Sequence, residues 1–214
     1  MNEGIRFDLA YETMPWHKVD AVVFDIGNVL IRFSAEEFLG QLFPGDEAKQ
    51  QHMLKVVYRG PQWPLLDRGT LTYEQAAAQL AEQYGGSYDE YMHAYKGWFE
   101  LKAPLEEGWR AAQRCRRAGK KLYLLTNYPA EGYARLRERY ADLFEIFDND
   151  VVSSHLKLMK PEREIYQTLI DTCGIDPSRT VFVDDLLANV EGAMKMGIHG
   201  FHMHEAGMMD RFFL

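Results

Sequence analysis

Three short apolar segments of this chain end directly on polar residues. The segments are 19–24, 122–125 and 180–183, and they are followed by Asp25, by Thr126 and Asn127, and by Asp184 and Asp185. Short runs of this kind are typical of strands that are buried on both faces of a parallel sheet. Ligands bind to such sheets at the carboxyl ends of the strands, so we expect these polar side chains to lie together at one edge.

The order of the remaining patterns predicts an α/β fold. After residue 103, helical and strand-like patterns alternate, with helices over 104–118, 130–140, 161–173 and 188–196 and strands over 122–126, within 146–153, and over 180–184 and 199–203. Pro104 and Pro161 are expected at the first position of their helices, where a missing N–H costs nothing. This alternation favours a Rossmann-like parallel sheet with helices on both faces.

The segment 34–103 contains no convincing strand pattern and predicts an inserted cap made of helices. Ser34 and Glu37 form a capping-box pattern, Asp46 can cap the next helix, and two further helices are expected over 72–84 and 88–101. A break is expected at Pro61, Pro64 and Gly69. The aromatic side chains expected in the core of the cap include Trp63, Tyr91 and Trp98.

These patterns divide the chain into three parts. Residues 1–18 are interpreted as a surface extension at the N-terminus, residues 19–33 with 104–214 as the α/β core, and residues 34–103 as the cap.

The polar residues at the strand ends suit phosphoryl transfer. A carboxylate such as that of Asp25 can attack phosphorus and form an aspartyl-phosphate. Repulsion between this carboxylate and a phosphate dianion must be cancelled, and Mg²⁺ is usually held by one or two carboxylates and the phosphate itself. Asp184 and Asp185 can supply those carboxylates, Lys160 adds a positive charge, and the Thr126 hydroxyl can donate to phosphoryl oxygens.

Four segments of the chain resemble the motifs of the haloacid dehalogenase (HAD) superfamily, in its phosphatase branch with a cap inserted after the first motif. They are 24–30 (FDIGNVL), 124–127 (LLTN), 159–166 (MKPEREIY) and 181–193 (VFVDDLLANVEGA). One such motif alone is weakly specific, but four in this order and spacing are strongly specific. The resemblance covers roughly residues 19–204.

The resemblance implies a role for each matching residue and Mg²⁺ as the cofactor. Asp25 is then the nucleophile and a metal ligand, and the backbone carbonyl of Gly27 is a second ligand. Asp185 is the ligand from the fourth motif, and Asp184 is a ligand or a partner in the outer shell. The residues that hold and neutralise the phosphoryl group are Thr126, Asn127 and Lys160.

The chain departs from the family pattern at four positions. The family usually has a second Asp two residues after the nucleophile, as general acid and base, and here that position is Gly27. A general acid or base contributes about 10²–10⁴-fold, so we expect a preference for leaving groups that need little protonation. His155 and Lys157 stand where the family has an acidic residue and Gly, and Asn189 stands where many members have Asp.

Sequences with the Phe-Asp-x-Gly-Asn-Val pattern resemble small bacterial sugar-phosphate phosphatases. The resemblance therefore implies a small phosphorylated metabolite as substrate, closed in by the cap.

Composition excludes some other classes of partner. The chain has 24 Lys and Arg against 32 Asp and Glu, and its net charge of −8 argues against a general binder of nucleic acid or of anionic membranes. Cys115 and Cys173 are far apart and are expected as reduced thiols, which favours a cytoplasmic location. Neither a signal peptide nor a membrane-spanning run is visible. The sequence does not predict an oligomeric state.

Several alternatives remain open from the sequence. Gly27 is compatible with a catalytically weak or inactive member that binds phosphorylated ligands or a protein partner. A receiver domain is disfavoured because its acidic pair precedes the acceptor aspartate. The metal-independent dehalogenases of the family carry a bulky residue in the place of Gly27. The spacing of His199, His202 and His204 fits no helix face, so no metal site is expected there, and the cap residues considered for substrate contact are Tyr58, Arg59 and Asp67.

Overall fold

A parallel sheet of five strands lies at the centre of the computed structural model, which describes residues 3–7, 13–97, 99 and 103–213. The strands, including those of a separate N-terminal hairpin, are β1 (Gly4–Arg6), β2 (Thr13–Pro15), β3 (Ala21–Phe24), β4 (Lys121–Thr126), β5 (Asn149–Val152), β6 (Thr180–Asp184) and β7 (His199–His202). The order across the sheet is β5-β4-β3-β6-β7. The predicted α/β fold class is confirmed.

Alternate residues of the central strands enter two apolar layers. Val22 and Phe24 of β3 join the larger layer, which includes Trp109 and Phe144, whereas Val23 joins a second layer on the opposite face of the sheet. Side chains of a strand point alternately to its two faces, so a strand apolar throughout is stable only when both faces are covered. Helices cover both faces, as the alternating pattern predicted.

Helices supply both apolar layers and form the insertion between the first two strands of the sheet. Their bounds are α1 (Ala35–Leu42), α2 (Glu47–Met53), α3 (Gln62–Asp67), α4 (Tyr73–Tyr84), α5 (Tyr88–Gly97), α6 (Glu106–Arg117), α7 (Ala130–Arg139), α8 (Ala141–Phe144), α9 (Ser153–Leu156), α10 (Arg163–Cys173), α11 (Leu187–Met194) and α12 (Met208–Phe212). A π-helical turn, Leu54–Tyr58, follows α2, and 3₁₀ turns include Trp16–Lys18 and Pro177–Arg179.

Side chains cap three helices of the insertion, and the capping positions Ser34 and Asp46 were predicted. The Ser34 hydroxyl accepts from the Glu37 N–H at 3.2 Å, and Asp46 accepts from the Lys49 N–H at 3.0 Å. Thr72 and Gln75 form a complete capping box at the start of α4. Each such cap satisfies a backbone donor that the first turn leaves without a partner.

The two prolines expected at helix starts lie elsewhere. α6 begins at Glu106, because Pro104 forms a β-bridge with Ile31 where the chain leaves the insertion. α10 begins at Arg163, because Pro161 lies in a turn that follows Lys160. Both predictions of a first helical position are therefore wrong, since tertiary contacts hold each proline outside its helix.

The expected break at Pro61, Pro64 and Gly69 is partly wrong, because α3 forms between Pro61 and Gly69. Pro64 is the third residue of this helix, where the backbone needs no N–H donor. Gly69, with φ +70°, turns the chain after α3. Tyr91 is buried and Trp63 is half-buried, packed on Tyr58 and Tyr95, while Trp98 lies outside the described residues.

The N-terminal stretch was expected to be a surface extension, but its described residues contribute to the core. β1 and β2 form an antiparallel hairpin, and Ile5 is completely buried where it bridges to Phe213. Strands of three residues are too short to produce a recognisable alternation. The division into an α/β core and a cap stays a prediction.

Two further expectations concern thiols and membranes. Cys115 and Cys173 are both free thiols. Within the described ranges, no helix is long and apolar enough to cross a membrane.

Candidate active site

The ends of three neighbouring strands bring the predicted site residues together. β3 pairs with β4 on one side and with β6 on the other, and Phe24 lies opposite both Leu124 and Val183. Asp25 follows β3 directly, while Thr126 and Asp184 are the last residues of β4 and β6. Parallel strands in this register place all three side chains at one edge of the sheet.

Lys160 lies at the centre of this edge. Its Nζ is 2.8 Å from Asp25 Oδ1 and 2.6 Å from Asp184 Oδ2, and it donates to the Leu125 carbonyl at 2.9 Å. Burial alone would lower the pKa of this ammonium, but the two carboxylates raise it above its usual value. The side chain is therefore a fixed positive charge with all three donors used.

Asp184 is fully buried and surrounded by donors. Besides Lys160, it accepts from the Leu186 N–H at 2.8 Å and from the Asn189 amide at 3.0 and 3.1 Å. These hydrogen bonds hold the carboxylate in one orientation. Asn189, one of the departures from the family pattern, therefore donates to Asp184, which an ionised Asp at that position could not do.

Asn28 holds the other member of the acidic pair. Its Nδ2 donates to Asp185 Oδ2 at 3.2 Å, while its Oδ1 accepts from the Phe33 N–H at 3.0 Å. Asn28 has φ +51°, a left-handed conformation that Asn tolerates better than most residues. No role for Asn28 was predicted from the sequence, although an Asn after Gly in a turn is a recognisable signal for this conformation.

Three carboxylates and one buried ammonium lie close together at this edge. One ligand oxygen from each of Asp25, Asp184 and Asp185 lies within 4.8 Å of the others. Burial raises the pKa of Asp25 to about 7; the Lys160 ammonium opposes this shift, and the two neighbouring carboxylates reinforce it. Burial also raises the pKa of Asp185. An all-oxygen donor set with excess negative charge fits a hard divalent cation such as Mg²⁺.

Thr126 is buried, and its hydroxyl has no hydrogen-bond partner among the residues that the structure describes. A buried hydroxyl without a partner costs free energy, which an oxygen-rich ligand at this edge would recover. The Asn127 side chain does not face such a ligand. Its Oδ1 accepts from the Lys160 N–H at 2.9 Å and its Nδ2 donates to the Lys160 carbonyl at 3.0 Å. The amide thus holds the lysine backbone, and the expected role of Asn127 in holding the phosphoryl group stays a prediction.

Gly27 leaves space beside the carboxylate of Asp25. A Cβ built on Gly27 would meet only Asp25 Oδ2, at 3.8 Å, which is an ordinary van der Waals separation. The Oδ1 atom of Asp25 faces Lys160, so Oδ2 is the oxygen on the Gly27 side.

Two cap residues considered for substrate contact have other partners. The buried Tyr58 hydroxyl donates to the Ala94 carbonyl, and Arg59 pairs with Glu36 at 2.8 Å on the cap surface. Asp67 ends α3, and its carbonyl accepts from the Ser153 hydroxyl. His202 contacts the Asp185 carbonyl, and across the described part of the chain the aspartate cluster is the one group found with the ligands for a metal.

Two proteins of known activity are similar in sequence to this chain. The chain is 24% identical over 186 residues to the sesquiterpene phosphatase astK of Aspergillus oryzae, covering 87% of this chain and 90% of that protein. It is 28% identical over 145 residues to (S)-2-haloacid dehalogenase 4A of Burkholderia cepacia, covering 68% of this chain and 60% of the dehalogenase.

Solved structures show the same fold. The HAD family enzyme bt-2542 of Bacteroides thetaiotaomicron, in complex with magnesium and inorganic phosphate, superimposes with a TM-score of 0.66 at 20% identity. The match covers 88% of this chain and 96% of that structure. Residues 19–197 match the family model described as haloacid dehalogenase-like hydrolase, and the chain is therefore a hydrolase of this family.

Proposed function

We propose that this protein is a Mg²⁺-dependent hydrolase of small phosphate monoesters that acts through an aspartyl-phosphate on Asp25. The observation that carries the proposal is the position of Lys160, whose Nζ lies between Asp25 Oδ1 and Asp184 Oδ2 inside a buried cluster of carboxylates. This arrangement keeps a nucleophilic carboxylate and a positive charge together, as attack on a phosphate dianion requires.

Each residue of the site has its own role in the first step. Asp25 attacks phosphorus, the bond from phosphorus to the leaving oxygen breaks, and the phosphoryl group passes to the carboxylate. Lys160 and the Thr126 hydroxyl stabilise the charge that gathers on the phosphoryl oxygens. A bound Mg²⁺ would be held by Asp25, Asp185 and the Gly27 carbonyl, and it would neutralise the phosphate as Asp25 approaches.

The second step needs a proton acceptor that Gly27 does not supply. Water attacks the aspartyl-phosphate and releases phosphate, which regenerates the Asp25 carboxylate. Because no side chain at position 27 can donate or accept a proton, the proton of the attacking water passes to the released phosphate or to solvent. In the first step, the leaving oxygen takes its proton from solvent, from the substrate or from the cap. We therefore propose a slow phosphatase with a preference for good leaving groups.

The helical insertion supports a small substrate. A cap of the predicted extent restricts access, which disfavours protein and nucleic-acid substrates. We propose a sugar-phosphate-like metabolite of the cytoplasm as the first substrate class to test. Because the chain is similar to a protein named as a sesquiterpene phosphatase, we also propose to test apolar phosphates.

Gly27 also favours a second candidate function. A protein that binds phosphorylated ligands or a protein partner without turnover would tolerate the loss of the general acid, and Gly27 is the one observation that favours it. The intact set of Asp25, Lys160 and Thr126 favours the enzyme.

The first prediction is release of phosphate from a panel of monoesters in the presence of Mg²⁺. The panel contains sugar phosphates, apolar prenyl phosphates, 4-nitrophenyl phosphate and, as a test of the dehalogenase reaction, 2-chloropropionate. We expect phosphate release that is abolished by EDTA and restored by Mg²⁺. Halide release that survives EDTA would contradict the proposal, and phosphate binding without turnover would favour the second candidate.

The second prediction concerns pH. The ionised form of Asp25 is the nucleophile, so kcat/KM falls as pH decreases through its pKa, which is about 7 without a cation. A divalent cation favours the charged form and lowers this pKa. We expect the acid limb of the pH profile to move to lower pH when Mg²⁺ is raised from limiting to saturating. Profiles for one substrate at both concentrations test this, and an acid limb that stays in place would contradict it.

A further inference from the structure

Two loops that are far apart in the sequence meet beside the site. We name residues 66–70, at the end of α3, the cap loop, and residues 157–162, which carry Lys160, the lysine loop. The Arg68 guanidinium of the cap loop pairs with both carboxylate oxygens of Glu162, with Nη1 at 3.1 Å from Oε2 and Nη2 in contact with Oε1. Arg68 Nη1 also donates to the Lys157 carbonyl at 3.0 Å. One side chain of the cap therefore holds both ends of the lysine loop.

Glu162, which is bound to Arg68, also binds the centre of the lysine loop. Its Oε2 accepts from the Met159 N–H at 3.0 Å, so the carboxylate closes the loop around Lys160. The opposite side of the Lys160 backbone is held by the Asn127 amide. The loop is thus held by Asn127 from the core and, through Glu162, by Arg68 from the cap.

The cap loop also lies close to the backbone of α9, just before the lysine loop begins. Gly69 has φ +70°, and a Cβ at this position would lie 2.5 Å from the Ser154 carbonyl oxygen. Lys157 has φ +61°, the left-handed conformation that suits the Gly usual at this place in the family, and its Nζ donates to the carbonyls of Gly69 and Ser154. The departure at Lys157 therefore keeps the turn and adds a contact with the cap.

This ion pair differs from an ordinary surface pair. Exposed pairs contribute little to stability because two flexible side chains must be ordered in high dielectric. The side chains of Arg68 and Glu162 are 32% and 36% exposed, but their contact is bidentate, and each makes a further bond to the backbone of the lysine loop. A planar guanidinium is suited to such a fork, and a lysine ammonium is not.

We propose that Arg68 is a positioning residue, which clamps the lysine loop through Glu162 and thereby holds Lys160 against Asp25. Docking of the cap and assembly of the site are then one event. An ammonium displaced by about 1 Å loses much of its effect on the transition state, so the clamp contributes to rate more than to stability. Its effect on turnover rests on the proposed function, but its effect on the loop does not.

Amide hydrogen exchange tests the clamp without any substrate. The variant is Arg68→Met, which keeps the length of the side chain and removes the fork. Its matched control is Arg59→Met, which breaks the ion pair with Glu36 inside the cap. We expect the Met159 and Lys160 amides to exchange at least about tenfold faster in Arg68→Met and at the wild-type rate in the control. Unchanged exchange in Arg68→Met, or equal acceleration in both variants, would overturn the proposal.

A steric variant tests the same contact independently of charge. Gly69→Ala strains a left-handed residue and drives a methyl group into the Ser154 backbone, so it should also accelerate exchange of the two amides. Protected amides in this variant would show that the approach of the cap loop does not order the lysine loop.

Kinetics connect the clamp to catalysis. With any substrate found in the panel, Arg68→Met should lower kcat about tenfold and change KM less, and Arg68→Lys should recover only part of the loss. Fast exchange with unchanged kcat would refute the link to Lys160. If the wild type turns over no phosphate ester, the proposed function fails, while the exchange data still decide whether Arg68 holds the loop.

Discussion

Replacing Asp25 by Asn should reduce phosphate release by at least about 10⁴-fold, because an amide oxygen cannot form the acyl phosphate that a carboxylate forms. The substitution preserves shape, and Lys160 can still donate to the amide oxygen at position 25. The loss should therefore come from chemistry and not from unfolding. Steady-state rates with the best substrate of the panel measure it, on protein purified free of host phosphatases.

The unfolding temperature of Asp25→Asn shows whether the loss of activity comes from chemistry or from unfolding. Burial and the neighbouring carboxylates raise the pKa of Asp25 from 3.8 to about 7, so without a cation this group disfavours the folded state increasingly as pH rises through that window. Asn carries no such charge. At neutral pH without Mg²⁺, the variant should unfold at the same temperature as the wild type or higher, and Mg²⁺ should stabilise it less.

The matched control is Asp20→Asn. Asp20 precedes β3 as Asp25 follows it, but it lies at the opposite edge of the sheet, where it pairs with Arg179. The same chemical change at this position should leave activity within about twofold. Substantial turnover by Asp25→Asn, or equal losses in the two variants, would refute Asp25 as the nucleophile.

The sequence predicted those site residues whose positions follow from strand ends. Each strand of a parallel sheet ends at the same edge, so Asp25, Thr126 and Asp184 could be assigned to one site before their distances were known. The range of β6, Thr180–Asp184, also agrees with its prediction, because a short apolar run between polar segments leaves little freedom.

Contacts between distant segments could not be predicted in this way. The Asn127 side chain uses both polar atoms of its amide to hold the backbone of the lysine loop, a contact that the sequence did not predict. Arg68 and Glu162 are separated by 94 residues, and neither belongs to a periodic pattern. Such pairings depend on how the cap docks, and no local signal in the chain encodes that.

Departures from the family pattern became interpretable only with coordinates. Asn189 and Lys157 each occupy a position where another residue is usual, and each makes hydrogen bonds that the usual residue could not make. Gly27 is different, because it has no side chain that could exchange a proton beside Asp25 Oδ2. The site therefore lacks the proton donor that the usual Asp would supply, and a substitution at position 27 can introduce one.

Replacing Gly27 by Asp should raise kcat by about 10²-fold for phosphate esters with poor leaving groups. The space is available, since a Cβ would meet only Asp25 Oδ2 at 3.8 Å, and Gly27 is not among the glycines with positive φ. A carboxyl group at this position lies on the side of the Asp25 oxygen that faces away from Lys160. There it can protonate the leaving oxygen and then accept a proton from the attacking water.

A series of aryl and alkyl phosphates measures this effect. In the wild type, log kcat/KM should fall steeply as the pKa of the leaving group rises, because the leaving oxygen departs without a donor. In Gly27→Asp the slope should become shallow, with little gain for 4-nitrophenyl phosphate, whose leaving group needs no proton. Gly27→Asn is the control, since it adds a similar volume without a transferable proton and should gain nothing. A shallow slope in the wild type would mean that another group already supplies the proton, and equal gains in the two variants would mean that volume, not acidity, changed the rate.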